Sequence, residues 1–138
     1  MMKVEVRAFK GRLKGYRYWQ LRERGQAQML ELLYDLIGAS PKSPKLDGIQ
    51  VHSPKNLDKE YRIREEIERV QANLSHAQAE IKYVDEILDK IESPLREAII
   101  DIYADNIKME CWAKKMDIAT STLNSRIDKA IEKALANY

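Results

Sequence analysis

Nine apolar residues in the middle of the chain step alternately by three and four. They are Ile63, Ile67, Val70, Leu74, Ala77, Ile81, Val84, Leu88 and Ile91. That is an unbroken a/d heptad seam over four repeats, and the intervening residues are mostly charged or amide side chains. A helix from about 57 to 92 follows, roughly 50 Å long at the α-helical rise. Such a seam cannot be satisfied by one helix alone. It must pack on an N-terminal helix, on a second chain, or on both. Residues 16–37 would cover only about 33 Å. Part of the seam is therefore expected to meet a second copy, giving a homodimer through Ile67, Val70, Leu74, Ile81, Val84 and Leu88.

The rest of the chain agrees with an all-α architecture. The expectation is a long coiled-coil-like helix packed with an N-terminal helix, plus a C-terminal helix-turn-helix head. Five Gly and four Pro in 138 residues leave little room for turn-rich β structure, and a third of the residues are charged. Tyr16 to Ile37 has helical spacing, with Leu21, Leu30, Leu33, Tyr34 and Ile37 as one stripe. Gly38 falls where a left-handed C-terminal residue belongs. Residues 39–56 form a Ser/Pro-rich loop in which Ile49 and Val51 could serve as anchors. Ser93 is expected to cap a new helix with Pro94 in its first position. Leu95, Ala98, Ile99, Ile102 and Tyr103 make its inner face, and Asp105-Asn106 its closing turn. Three regions result: a basic arm or short helix over 1–15, a helical hairpin and coiled coil over 16–92, and a head over 93–138.

Charge is distributed unevenly. Residues 1–25 carry eight Lys/Arg against two Asp/Glu, whereas residues 94–138 carry seven of each. A neutral segment is a poor ligand for a polyanion by itself, because cations supply most of that affinity. Compensation is expected from the basic N-terminus or from a second subunit. In the N-terminus, Arg7, Lys10, Arg12, Lys14, Arg17, Arg22 and Arg24 alternate with Phe9, Tyr16, Tyr18 and Trp19. Such a stretch can grip a nucleic-acid backbone, or its aromatics can pack beneath the long helix. Packing is expected for Tyr18 and Trp19.

The last third, KMECWAKKMDIATSTLNSRIDKAIEKAL from Lys108, holds two short amphipathic segments around a break at Met116 to Thr120. Ala113 sits where two helices would approach closely. This is the pattern of a helix-turn-helix whose second helix enters the DNA major groove. Leu123, Ile127, Ala130 and Ile131 would hold that helix against Met109, Trp112 and Met116. Thr120, Ser121, Thr122, Asn124 and Ser125 would then reach base edges. Lys108, Lys114, Arg126 and Lys129 would contact phosphates. Ala119 occupies the usual N-cap position, so Thr120 or Ser121 is expected to cap instead.

Met109, Trp112, Ala113, Met116, Asp117, Ile118 and the Thr120-Ser121-Thr122 helix start resemble region four of bacterial sigma factors. The whole chain is similar, more loosely, to small phage and mobile-element regulators of the RinA/ArpU type. Those join an N-terminal helix, a Ser/Pro loop and a long helix to a sigma-like helix-turn-helix. The resemblance implies a transcriptional regulator of phage or mobile-element genes that binds double-stranded DNA and can touch RNA polymerase. Nothing in the chain matches a promoter-opening region, so a whole sigma factor is not expected. Two rivals remain: a small-terminase-like DNA-packaging subunit, and a helical interaction module without DNA affinity.

Catalysis is not expected, nor any cofactor or metal. Cys111 has no basic partner placed by sequence and is expected near the core of the head. His76 and Glu80, at i, i+4, are too few to hold a metal. His52 has no companion, and Glu65, Glu66 and Glu68 read as a solvated face. A lone cysteine and the lack of any apolar run approaching roughly 18 residues point to a cytoplasmic protein without a membrane span.

Overall fold

A computed structural model describes residues 3–38 and 54–138, and every described element is helical. The Ser/Pro loop up to residue 53, with Ile49, Val51 and His52, lies outside the described residues. In chain order the helices are α1 (Val4–Lys14), α2 (Tyr16–Leu36), α3 (Pro54–Leu88), α4 (Leu95–Ile99), α5 (Met109–Lys115) and α6 (Thr120–Ala136). A π-helical turn, Ile100–Ala104, extends α4. Among the described residues no helix is long and apolar enough to cross a membrane. The chain divides into two compact units. A head comprises Met1–Trp19 and Ala79–Tyr138, and a hairpin comprises Gln20–Gln78.

In the hairpin, α2 turns Leu30, Leu33, Tyr34 and Ile37 toward Ile63, Ile67 and Val70 of α3. Leu33, Ile67 and Val70 are the buried ones, and each contributes about 1.5–3 kcal/mol. Gln71 Nε2 donates to the Tyr34 hydroxyl at 2.8 Å, which holds the register of the two helices. The pairs Asp58–Arg62 and Glu60–Arg64, each one turn apart, add only a few tenths of a kcal/mol apiece. Pro54 opens α3 in the first turn, where its missing N–H costs nothing. Gly38 follows the end of α2 with φ 66°, as its position predicts. Leu21 differs from expectation: it is exposed, not part of the inner stripe. At 100° per residue it lies far from Leu30 and Leu33 around the helix.

The head has the larger core. Val6, Phe9 and Leu13 of α1 are fully buried among Val84, Ile87 and Leu88 of α3, Ala98 and Ile99 of α4, and the inner face of α6. Residues 3–14 are therefore a core helix, not an arm. Their i, i+3, i+7 spacing is short and is masked in the sequence by the surrounding Lys and Arg. Tyr16 is also buried. Its hydroxyl donates to the Asp85 carboxylate, and burial together with that bond pushes its pKa up to about 12. Tyr18, by contrast, is exposed, with Trp19 edge-on at 5.1 Å.

These packings revise the seam. Ile67 and Val70 are covered within the hairpin, and Val84 and Leu88 within the head, while Leu74 and Ile81 are half-buried. The homodimer expected through this seam loses most of its interface, because the chain itself covers four of the six residues named for it. The missing cover at the C-terminal end of the seam is α1, which the length argument left out. The head likewise does not begin at residue 93: it takes in α1 and the end of α3. Ser93 does not cap α4 either. Its hydroxyl donates to Glu97 Oε1 at 2.6 Å, drawing that carboxyl below its usual range, and the helix starts at Leu95.

Candidate nucleic-acid interface

Helices α5 and α6, seven and seventeen residues long, are joined through Met116 to Ala119. The end of α5 is a Schellman closure: Ile118 N–H donates to the Ala113 carbonyl at 3.0 Å, and Asp117 N–H to the Lys114 carbonyl at 3.1 Å. Asp117 occupies the left-handed position with φ 57°. Aspartate tolerates that conformation at a cost of about 1–2 kcal/mol that glycine does not bear. Asp117→Gly is therefore expected to raise stability by about 0.5–1 kcal/mol, and Asp117→Val to lower it by at least about 1 kcal/mol. Urea unfolding of the two variants checks this, and a destabilising glycine would remove the strain argument.

Trp112 ties α5 to the preceding helix. Its Nε1–H donates to Asp101 Oδ2 at 2.8 Å, and Asp101 lies in the π-helical turn. Ile107 N–H donates to the Asp101 carbonyl at 2.9 Å, and Asn106 makes the turn with φ 58°. The Asp105-Asn106 turn thus falls where the sequence puts it. Cys111 is exposed on α5, not near the core, because Trp112 and Ala113 take the inward positions.

On α6, Leu123, Ile127, Ile131 and Ala134 form the buried row. Thr120, Ser121, Thr122, Asn124 and Ser125 are all exposed in its first two turns. Helical spacing places Ser125 opposite the buried row, with Ser121 and Lys129 one turn to either side. Lys108, Lys114, Arg126 and Lys129 are exposed as well. The helix begins at Thr120 with Ala119 as N-cap and no side-chain cap. The expected capping by Thr120 or Ser121 does not occur, because both already lie inside the helix. First-turn N–H groups of this helix thus receive no side-chain oxygen from the cap residue.

The electrostatics of this face depend on α1 and its junction with α2. Between Thr120 and Ala136 the acidic residues are Asp128 and Glu132. Lys10 pairs with Asp128, and Lys3 with Glu132 at 2.8 Å. Burial works against the Lys10 charge, but Asp128 and Tyr103 outweigh it and raise its pKa. Arg17 takes Asp105 in a two-point bond of 2.8 and 3.0 Å and holds that carboxyl below its usual range. A lowered carboxyl pKa keeps this pair intact at neutral pH and releases it only as pH falls through that value. Asp105, Asp128 and Glu132 are thereby engaged by cations from the first seventeen residues, and Arg12 adds a pair to Glu80 at 3.6 Å. Lys3, Lys10 and Arg17 were legible in sequence only as positive charge. Lys115, whose Nζ lies 4.5 Å from the Trp112 ring centroid, carried no signal at all.

Among the described residues no group of three or more His, Cys, Asp or Glu is placed to hold a metal, and His76 is exposed on α3. Fold and site together define an all-helical chain whose head carries a helix, a short turn and a longer helix with an exposed, polar outer face. No family model, curated protein or solved structure matches the sequence.

Proposed function

We propose that this chain is a sequence-specific DNA-binding transcriptional regulator, with α6 as the reading helix. One observation carries the reading. The outer face of α6 presents Ser121, Thr122, Asn124, Ser125, Arg126 and Lys129, while both carboxylates of that helix are neutralised by Lys3 and Lys10. Hydroxyl and amide side chains can read base edges in the major groove, and the flanking cations can fix register on phosphates. Free carboxylates beside that face would repel the DNA backbone, and their pairing with Lys3 and Lys10 lessens that repulsion. The N-terminus of α6 also favours a phosphate, since its first-turn N–H groups have no side-chain cap.

The looser resemblance to RinA/ArpU-type regulators, beside that of the head to sigma region four, extends the proposal to cytoplasmic control of phage or mobile-element genes, with contact to RNA polymerase. Fluorescence anisotropy with DNA fragments from the gene's own neighbourhood and with random DNA, at two salt concentrations, tests it. The expected result is one preferred fragment, bound at least about tenfold more tightly than random DNA at both salts. Weak, steeply salt-dependent binding to every fragment would overturn the regulator reading and favour an interaction module. A ring-sized oligomer bound to DNA would favour a packaging subunit.

A further inference from the structure

The outer face of α2 carries a row of large apolar side chains that the hairpin does not cover. Leu21, Met29, Leu32 and Leu36 are 64, 46, 60 and 67 % exposed. With Gly25 they step by four, four, three and four residues, which keeps them on one side of the helix. Leu30, Leu33, Tyr34 and Ile37 already fill the inner side, so the row is additional to the hairpin core. Four such residues in line are more than the scattered single exposures that need no explanation. Gly25 adds a second observation. A Cβ built there would meet nothing within 4 Å, although glycine weakens a helix interior. The gap lies in the middle of the row, where a side chain from another helix could enter.

Charge on the flank of the row selects the occupant. Arg24 lies toward its start, and Glu31 and Asp35 toward its end, on the same flank. Arg24 and Asp35 are eleven residues apart, about 16 Å along one helix, so they do not pair within the chain. A parallel two-fold partner would turn this flank away from its own copy, so that Arg24 would meet neither Glu31 nor Asp35. An antiparallel one sets opposite charges together and also opposes the helix dipoles.

We propose that a second copy of this chain packs antiparallel on the outer face of α2. Leu21 of one copy is then level with Leu36 of the other, and Leu32 enters the gap at Gly25. Arg24 sits between Glu31 and Asp35 of the second copy. The two-fold interface is thus the outer face of α2, not the heptad seam of α3. The inference stands apart from the DNA-binding reading, since none of these residues belongs to the head.

Sedimentation equilibrium of the full chain tests it, with far-UV circular dichroism as the fold control. The wild type is expected to have twice the chain mass, and Leu32→Glu to dissociate it with helicity retained. Arg24→Glu and Asp35→Arg are each expected to weaken the dimer by roughly tenfold, and the double variant R24E/D35R to restore most of the loss. A monomeric wild type from micromolar to millimolar concentration overturns the proposal. So does an oligomer unmoved by Leu32→Glu, or a double variant as weak as either single.

Discussion

Phe9→Ala is expected to lower the unfolding free energy by about 3–5 kcal/mol, the range for removing a large aromatic from a packed core. Phe9 is 1 % exposed and lies in a helix that the charge pattern presents as a basic arm. Its ring meets Tyr83 edge-on at 6.2 Å, and Val6 and Leu13 bury in the same core. A small domain has only about 5–15 kcal/mol of net stability, so this one truncation takes a large share of it. Arg7→Ala, exposed on the same helix, is the control and should stay within about 0.5 kcal/mol of the wild type. Urea unfolding followed by circular dichroism reads both. A Phe9→Ala loss below about 1 kcal/mol would mean that α1 is detachable. Deleting the first fifteen residues is expected to unfold the head, not merely to remove positive charge.

The second large effect concerns specificity. The double variant Asn124→Ala, Ser125→Ala is expected to cut affinity for the preferred fragment by about 10–100-fold and to leave random DNA nearly unchanged. A well-formed bidentate pair discriminates bases by about 1–3 kcal/mol, and Asn pairs in this way with adenine. Both residues are exposed, so the fold cost of the change is small. Lys114→Ala with Lys129→Ala should behave differently. It should weaken preferred and random DNA alike and flatten the salt dependence by about 0.9 for each phosphate no longer neutralised. Anisotropy titrations at several salt concentrations separate the two patterns. If the Asn124/Ser125 variant keeps its preference, α6 is not the reading helix, even if the chain binds DNA.

The long α3, the inward stripe of α2 and the α5–turn–α6 unit were legible because each is a local pattern. Heptad spacing, a left-handed glycine at Gly38 and a run of small polar residues after Met116-Asp117 are written within one or two turns of chain. The exposed candidates on α6 follow from the same periodicity, since Leu123, Ile127 and Ile131 leave Ser121 and Ser125 outside. Some expectations failed because they needed a distant partner, as with the homodimer through the α3 seam; others failed locally, as with capping by Ser93. Leu21 belongs to the local failures: it is exposed because helical spacing sets it about 120–180° around α2 from Leu33 and Leu30, a phase readable from the sequence.

The sequence by itself determined an all-helical chain and the apolar rows of α3 and α6, because helical periodicity is a property of consecutive residues. Only the tertiary structure decided what covers those rows. It placed α1 in the head core, closed the α3 seam within one chain and set Lys3 and Lys10 on Glu132 and Asp128. Those ion pairs join residues more than a hundred positions apart, and no local pattern encodes them. They form because Val6, Phe9 and Leu13 bury together, and burial fixes which charges of α1 lie beside α6.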